Sequence, residues 1–211
     1  MPSNLSHEIK NLSTSKSLGH DEIIAKFLKI SAKIVVSAVS DIFNLSIKSG
    51  KYPEPLKIAK VLPIFKKGDR SLGSNYRPIS VLSCINKIFE KILSKRNYNF
   101  LEKYNILYEF QYGFCQGHST SHALIEIVDK IKFAMDNNEM TCGIFLDLSK
   151  AFDTVNHEIL LYKLDHYGIR GPTLKLLKSY LSNRKQFVKI GKYKSELRQI
   201  SCGVPQGSVL G

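Results

Sequence analysis

Apolar residues fall in blocks whose spacing changes along the chain, and each block predicts an element. From Ile23 the positions Phe27, Ile30, Ile34, Ala38, Ile42 and Leu45 recur at steps of three and four, the spacing of one helix face, and predict one or two amphipathic helices ending near Gly50. Tyr52, Pro53 and Pro55 break that pattern. The run Ala59 to Phe65 predicts a strand, but Pro63 cannot donate to a ladder, so an edge strand or a bulge is expected, followed by a turn at 66–70. Ile85, Ile88, Phe89, Ile92 and Arg96 predict a second helix. Leu124, Ile127, Val128, Ile131 and Met135 predict a third, with Ser119 or Thr120 as N-cap, and both stripes are expected to face a core. Between Thr141 and Asp147 the residues Cys142 to Leu146 are continuously apolar, the pattern of a strand buried on both faces. Helices follow at about 157–167, stopped by Gly168, and about 172–182, started by Pro172. Then 186–190 and 195–202 predict a hairpin around Gly191. The first 18 or so residues, rich in Ser and Asn, are expected to be a loose lead-in. No internal repeat is visible.

With 211 residues, 43% of them hydrophobic, the chain can build a core. The 31 Lys and Arg exceed the 18 Asp and Glu by 13, which points to a polyanionic partner, nucleic acid foremost, against the plainer reading of a solvated basic surface. The distribution sharpens this. Residues 51–100 carry 11 basic and 3 acidic groups and residues 163–198 carry 10 and 2, while 101–162 between them carry 4 and 9. An acidic centre between basic blocks suits an enzyme that holds a metal and grips phosphates on either side, and equally a mosaic surface. Cys84, Cys115, Cys142 and Cys202 lie far apart with no CxxC pair, so a reducing compartment is expected. No apolar run approaches the roughly 18 residues of a membrane span, and the polar N-terminus is unlike a secretory signal. The expected location is therefore intracellular, cytoplasm or nucleus, with no membrane partner.

Asp147 stands at the C-terminal end of the predicted buried strand, where a sheet could hold its backbone while the carboxylate reaches a cleft. That is a good place for a metal ligand, although an Asp after a strand also commonly opens a turn. The segment Phe145-Leu146-Asp147-Leu148-Ser149-Lys150-Ala151-Phe152-Asp153-Thr154-Val155-Asn156-His157 closely resembles the first palm motif of reverse transcriptases of non-LTR retrotransposons. Three further segments resemble the same family in the same order: Asn75 to Leu82 its fingers motif, Gln111 to Phe114 with Gly117 to Thr120 the stretch between fingers and palm, and Gly203 to Gly211 its second palm motif. The resemblance covers about residues 19–211.

It implies an α+β right-hand polymerase fold with 1–18 as lead-in, 19–140 as N-terminal helices and fingers, and 141–211 as an incomplete palm. It also implies an RNA-directed DNA polymerase that adds dNTPs to a primer 3′-OH on an RNA template with Mg²⁺. Asp147 and the carbonyl of Leu148 would bind the metal, both being hard oxygen donors. Phe152 would sit under the incoming sugar and clash with a ribose 2′-OH, where the plain reading is a core aromatic. Asp153 is expected to be a structural or capping group. Arg77 would contact the triphosphate with its planar fork of donors, and Lys60 is a weaker candidate for the same work. Lys66, Lys67 and Arg70 would touch template backbone from a fingers tip, or simply solvate a turn. Gln206 would pack beside the nucleotide, with Gly203 and Gly207 allowing close backbone approach.

Three departures from the family pattern stand out. Cys115 occupies a position where the family usually has Arg, and Gly19-His20-Asp21-Glu22-Ile23 stands where it commonly has Gly-Pro-Asp-Gly-Ile. The adjacent aspartates that the family places on a hairpin after the second palm motif do not occur before Gly211. Two-metal chemistry needs carboxylates that hold the ions roughly 4 Å apart, so this polypeptide alone is expected to be inactive, a catalytically silent nucleic-acid-binding remnant being the alternative reading.

Overall fold

The computed structural model describes residues 2–14 and 17–211. It divides into two units, residues 1–97 with 150–211 and residues 98–149, a division that places the expected boundary at 140/141 inside the second unit.

The first unit opens on helix α1 (Pro2–Lys10), then α2 (Ala25–Ile30) and α3 (Ala32–Ser49). The expected loose lead-in is corrected: Leu5, Ile9 and Leu12 are buried in the core. Three leucine-type side chains at steps of four and three make a narrow stripe that a polar average hides. The following two helices lie where the spacing predicts, and α3 ends at Gly50 in the left-handed conformation (φ 67°) with its N–H on the Ser46 carbonyl. Their orientation is the reverse of the expected one. Phe27, Ile30, Ile34, Ile42 and Leu45 are exposed, Ile34 by 83%, while Leu28, Ser40, Phe43 and Ser46 are buried. The segment carries two apolar stripes, and the one containing small serines is the one that fits against the core.

β1 (Ile58–Phe65) and β2 (Tyr76–Val81) pair antiparallel, Lys60 opposite Val81 and Phe65 opposite Tyr76. β1 also pairs in parallel with β3 (Lys185–Ile190), but only from Ile58 to Val61. β1 is thus interior at its start and an edge beyond Val61, so Pro63 leaves no ladder bond unmade. Helix α4 (Cys84–Lys103) begins in this unit, α6 (His157–His166) and α7 (Gly171–Leu181) close it, and Pro172 lies in the first turn of α7. The hairpin forms at Gly191 (φ 57°), with β4 (Tyr193–Lys194) and β5 (Arg198–Gln199) returning along β3. The pairing shifts by one residue between Lys189–Lys194 and Gln186–Arg198, a bulge at Ser195, whose hydroxyl receives the Val188 N–H at 2.9 Å. Phe43 and Phe89 stack at 4.1 Å in the core, with Tyr52 at 5.1 Å from Phe89.

The second unit contains α5 (Thr120–Asp136), capped by the Ser119 hydroxyl on the His122 N–H. No residue from 98 to 149 is buried, so the core-facing role expected of the α5 stripe is corrected. The predicted buried strand at 142–146 is corrected too: it pairs with no described strand, and Phe145 and Leu146 are 87% and 90% exposed. A strand buried on both faces needs hydrogen-bonded neighbours for its own backbone, and none of the described strands supplies one. Local order here comes from polar and ring contacts such as Tyr98 O–H accepting the Gln116 N–H at 3.1 Å and Lys130 over the Phe110 ring.

Candidate nucleotide-binding site

β2 is the outer strand of its sheet, and its free side is where the distant segments meet. The Ser80 N–H donates to the Gln206 carbonyl at 2.8 Å, so the Gly203–Gly211 loop runs along the β2 edge. Upstream in that loop the Val204 N–H donates to the Phe152 carbonyl and the Gly203 N–H to the Val155 carbonyl, both at 2.8 Å, and His157 Nε2 meets the Gly203 carbonyl at 2.7 Å. This closeness needs glycine. A Cβ on Gly203 (φ 79°) would lie 2.7 Å from the Asp153 carbonyl oxygen and 2.8 Å from that of Phe152. Gly207 (φ 94°) lies over Ile79 and Ser80 with slightly more room.

The four residues expected to meet the nucleotide, Arg77, Lys60, Phe152 and Gln206, all belong to the first unit. Arg77 and Lys60 lie on one face of the sheet, since Arg77 pairs with Ile64 and Lys60 is four residues from Ile64 on the same strand. Arg77 is exposed and has no ion-pair partner among the described residues, leaving its fork of donors open. The Lys60 ammonium is held below the ordinary lysine range, by burial first and then by Lys189, with Glu22 opposing. Phe152 is half-buried and joined through its backbone to the loop that carries Gln206. The α6 N-cap falls to Asn156, whose Oδ1 accepts from the Glu158 and Ile159 N–H groups at 2.9 and 3.1 Å, so Asp153 is not the cap.

At the tip between β1 and β2, Lys66, Lys67 and Arg70 are exposed. The turn itself is fixed by Asn75, whose side chain donates to the Asp69 carbonyl, and by Tyr76 O–H on the Arg70 carbonyl, both at 2.8 Å. Arg70 rests over the Phe65 ring at 4.9 Å. Asp147 and Leu148 belong to the second unit and are exposed. Among the described residues no group of three or more His, Cys, Asp or Glu is placed to hold a metal ion, so a lone Asp147 does not fit that role unaided.

Sequence reasoning missed Glu90. It is 0% exposed and accepts three hydrogen bonds, from the Val209 N–H on Oε2 at 2.8 Å and from Asn86 Nδ2 and Tyr180 O–H on Oε1 at 2.9 Å each. Tyr52 O–H donates in turn to Asn86 Oδ1 at 2.6 Å. Burial pushes the Glu90 carboxyl up, the three donors and the nearby Arg184 pull it down, and the net shift is upward. Arg184 is buried as well, over the Tyr180 ring at 4.6 Å with one donor on the Tyr180 carbonyl. The signal available in the sequence was Asn86 and Glu90 at an i, i+4 spacing inside an otherwise apolar helix face.

A family model described as reverse transcriptase (RNA-dependent DNA polymerase) matches residues 64–211. The chain is 35% identical over its whole length to the probable RNA-directed DNA polymerase from transposon X-element of Drosophila melanogaster. It is 34% identical over 97% of its length to the RNA-directed DNA polymerase from mobile element jockey of the same fly, and 29% identical over 79% to the Pol polyprotein of the type-1 retrotransposable element R2 of Popillia japonica. It spans about 23% of the length of each of these relatives. Among the described residues no helix is long and apolar enough to cross a membrane.

Proposed function

This chain belongs to the reverse transcriptase (RNA-dependent DNA polymerase) family, and from that premise we propose that it forms the nucleotide-facing wall of an RNA-directed DNA polymerase of a mobile element. The observation that carries this reading is the pair of backbone bonds, Ser80 N–H to Gln206 and Val204 N–H to Phe152, which gather three distant motifs along one sheet edge. In this reading Arg77, helped by Lys60, holds the triphosphate of a dNTP, because a charged fork of donors matches phosphate oxygens. Phe152 lies under the sugar and Gln206 beside the base. Lys66, Lys67 and Arg70 touch the backbone of an RNA template, and the substrate end of the reaction is a primer 3′-OH. Asp147 and the Leu148 carbonyl would contribute to a Mg²⁺ site in a protein of the relatives' length; the metal would supply charge neutralisation and an activated 3′-oxygen there.

For the 211-residue polypeptide by itself, the isolated Asp147 carboxylate favours nucleic-acid and nucleotide binding without catalysis. The test titrates a fluorescent dNTP analogue, then a single-stranded RNA, at increasing salt. RNA affinity is expected to fall with a log–log slope of about −0.7 per phosphate neutralised, and Arg77→Ala should weaken the dNTP analogue about tenfold, as loss of one charged hydrogen bond does. A salt-independent affinity, or dNTP binding indifferent to Arg77, would overturn the reading.

A further inference from the structure

The Gly203–Gly211 loop carries Gln206 and one partner of each backbone bond on which the proposed nucleotide wall rests, and a buried side-chain anchor reaches its distal end. That anchor is the Glu90 carboxylate, which receives the Val209 N–H at 2.8 Å. Glu90 comes from α4, on the far side of β2 in the chain, and its second oxygen is held by Asn86 and by Tyr180 of α7. Two oxygens thus face three donors. A carboxyl oxygen pair accepts from all three at once, whereas an amide in its place would turn its NH2 donors toward one of them. The counter-charge is Arg184, buried beside Tyr180.

We propose that Glu90 is a positioning residue for the nucleotide wall: its carboxylate latches Val209 and so holds the loop bearing Gln206 against the β2 edge. This rests on the reading of that wall as the nucleotide site, and it names the element that keeps the wall in register. Burying an acidic group that gains no close ion pair costs stability, so a carboxylate at this place is better explained by the geometry it imposes than by the stability it contributes. Asn86 and Tyr52 extend the same chain of bonds to the segment before β1, so the loop is tied through Glu90 to the core.

The test measures amide hydrogen exchange residue by residue in the full 211-residue chain, wild type and Glu90→Gln. In the wild type the Val209 amide should be protected at least tenfold although its residue is exposed, the protection of one charge-assisted bond. In Glu90→Gln the amides of 203–211 should exchange roughly ten- to a hundredfold faster, with α3 and α7 core amides at wild-type rates and no fall in melting temperature. An unprotected Val209 amide in the wild type would overturn the proposal even if the variant does not fold. So would unchanged loop exchange in the variant, or acceleration shared evenly by loop and core, which is the mark of a merely structural role. A fluorescent dNTP analogue is then titrated into both proteins, with several-fold weaker binding expected in Glu90→Gln. Absence of binding by the wild type would sink the nucleotide reading, while the exchange rates still decide whether Glu90 holds the loop.

Discussion

Helices α4 and α5 carry the same kind of apolar stripe and meet opposite fates. Ile88, Phe89, Ile92 and Leu93 of α4 are buried among α1, α3 and α7 residues, whereas Leu124, Ile127, Val128, Ile131 and Met135 of α5 all remain exposed. The contrast extends to the units that hold them: every buried side chain lies in residues 1–97 and 150–211. Periodicity states which face of a helix has apolar area to lose, and the hydrophobic effect acts only when another surface is present to remove that area from water. Function follows the same line. The residues proposed to meet a nucleotide sit in the unit with a core, and Asp147 sits in the unit without one.

The largest effect expected from this comparison is on stability. Phe89→Ala, which removes a ring stacked on Phe43 and Tyr52, should cost about 3–5 kcal/mol, while Leu124→Ala on α5 should stay within about 0.5 kcal/mol. Denaturant melts of the two variants decide it, and equal losses would mean that α5 has a buried face in solution.

Phe152 lies between these extremes, half-buried in the first unit and five residues from Asp147. Phe152→Val should bring affinities for rNTP and dNTP analogues closer by about tenfold, the range for adding or removing one group in a pocket. The melting temperature should change little. A drop of several kcal/mol in stability with an unchanged ratio would make Phe152 a core ring and nothing more.

A smaller effect is expected from pH. Glu90 in the folded protein titrates above its ordinary value, chiefly through burial, so the unfolded chain ionises first. Its favourable contribution is complete below the ordinary glutamate range and is lost as pH rises through the raised value. The stability of wild type relative to Glu90→Gln should therefore fall as pH rises across that window. The groups facing the carboxyl, Tyr52, Tyr180 and Arg184, are common to both proteins, so they do not enter the difference. A difference that is flat or rises with pH would show Glu90 ionising freely.

The smallest effect concerns Glu22, which adopts a left-handed conformation (φ 56°) that favours Gly. Replacing it, Glu22→Gly, should relieve the Cβ penalty and, after the entropy that glycine loses, stabilise by about 0.5–1 kcal/mol. A lower melting temperature in the variant would place the cause of that turn elsewhere.

Much of this was legible in the residues alone. The helix boundaries at Gly50, Ser119, Gly168 and Pro172 follow from local chemistry, because a cap or a missing N–H acts within one turn of the chain. The family followed from four ordered motifs, while the close approach found at Gly203 is to the Phe152 and Asp153 carbonyls, a contact the sequence does not name. Other features depended on partners far away in sequence. Which stripe of α3 turns inward, why Pro63 is tolerated in an otherwise interior strand, and whether 142–146 finds a sheet are all questions about neighbours. Glu90 is the clearest case. In sequence it is a glutamate in a helix, and only the tertiary structure brings a loop amide 119 residues away to its second oxygen. Sequence by itself determined the family and helices α2 to α7 with several of their ends, since caps and breaks act through short-range sterics and hydrogen bonding. It missed α1 and predicted a strand at 142–146 that does not form. Tertiary structure decided burial, register and the backbone bonds that bring Gln206 to β2 and Val204 to Phe152, because each of those needs two surfaces that meet only when the chain has folded.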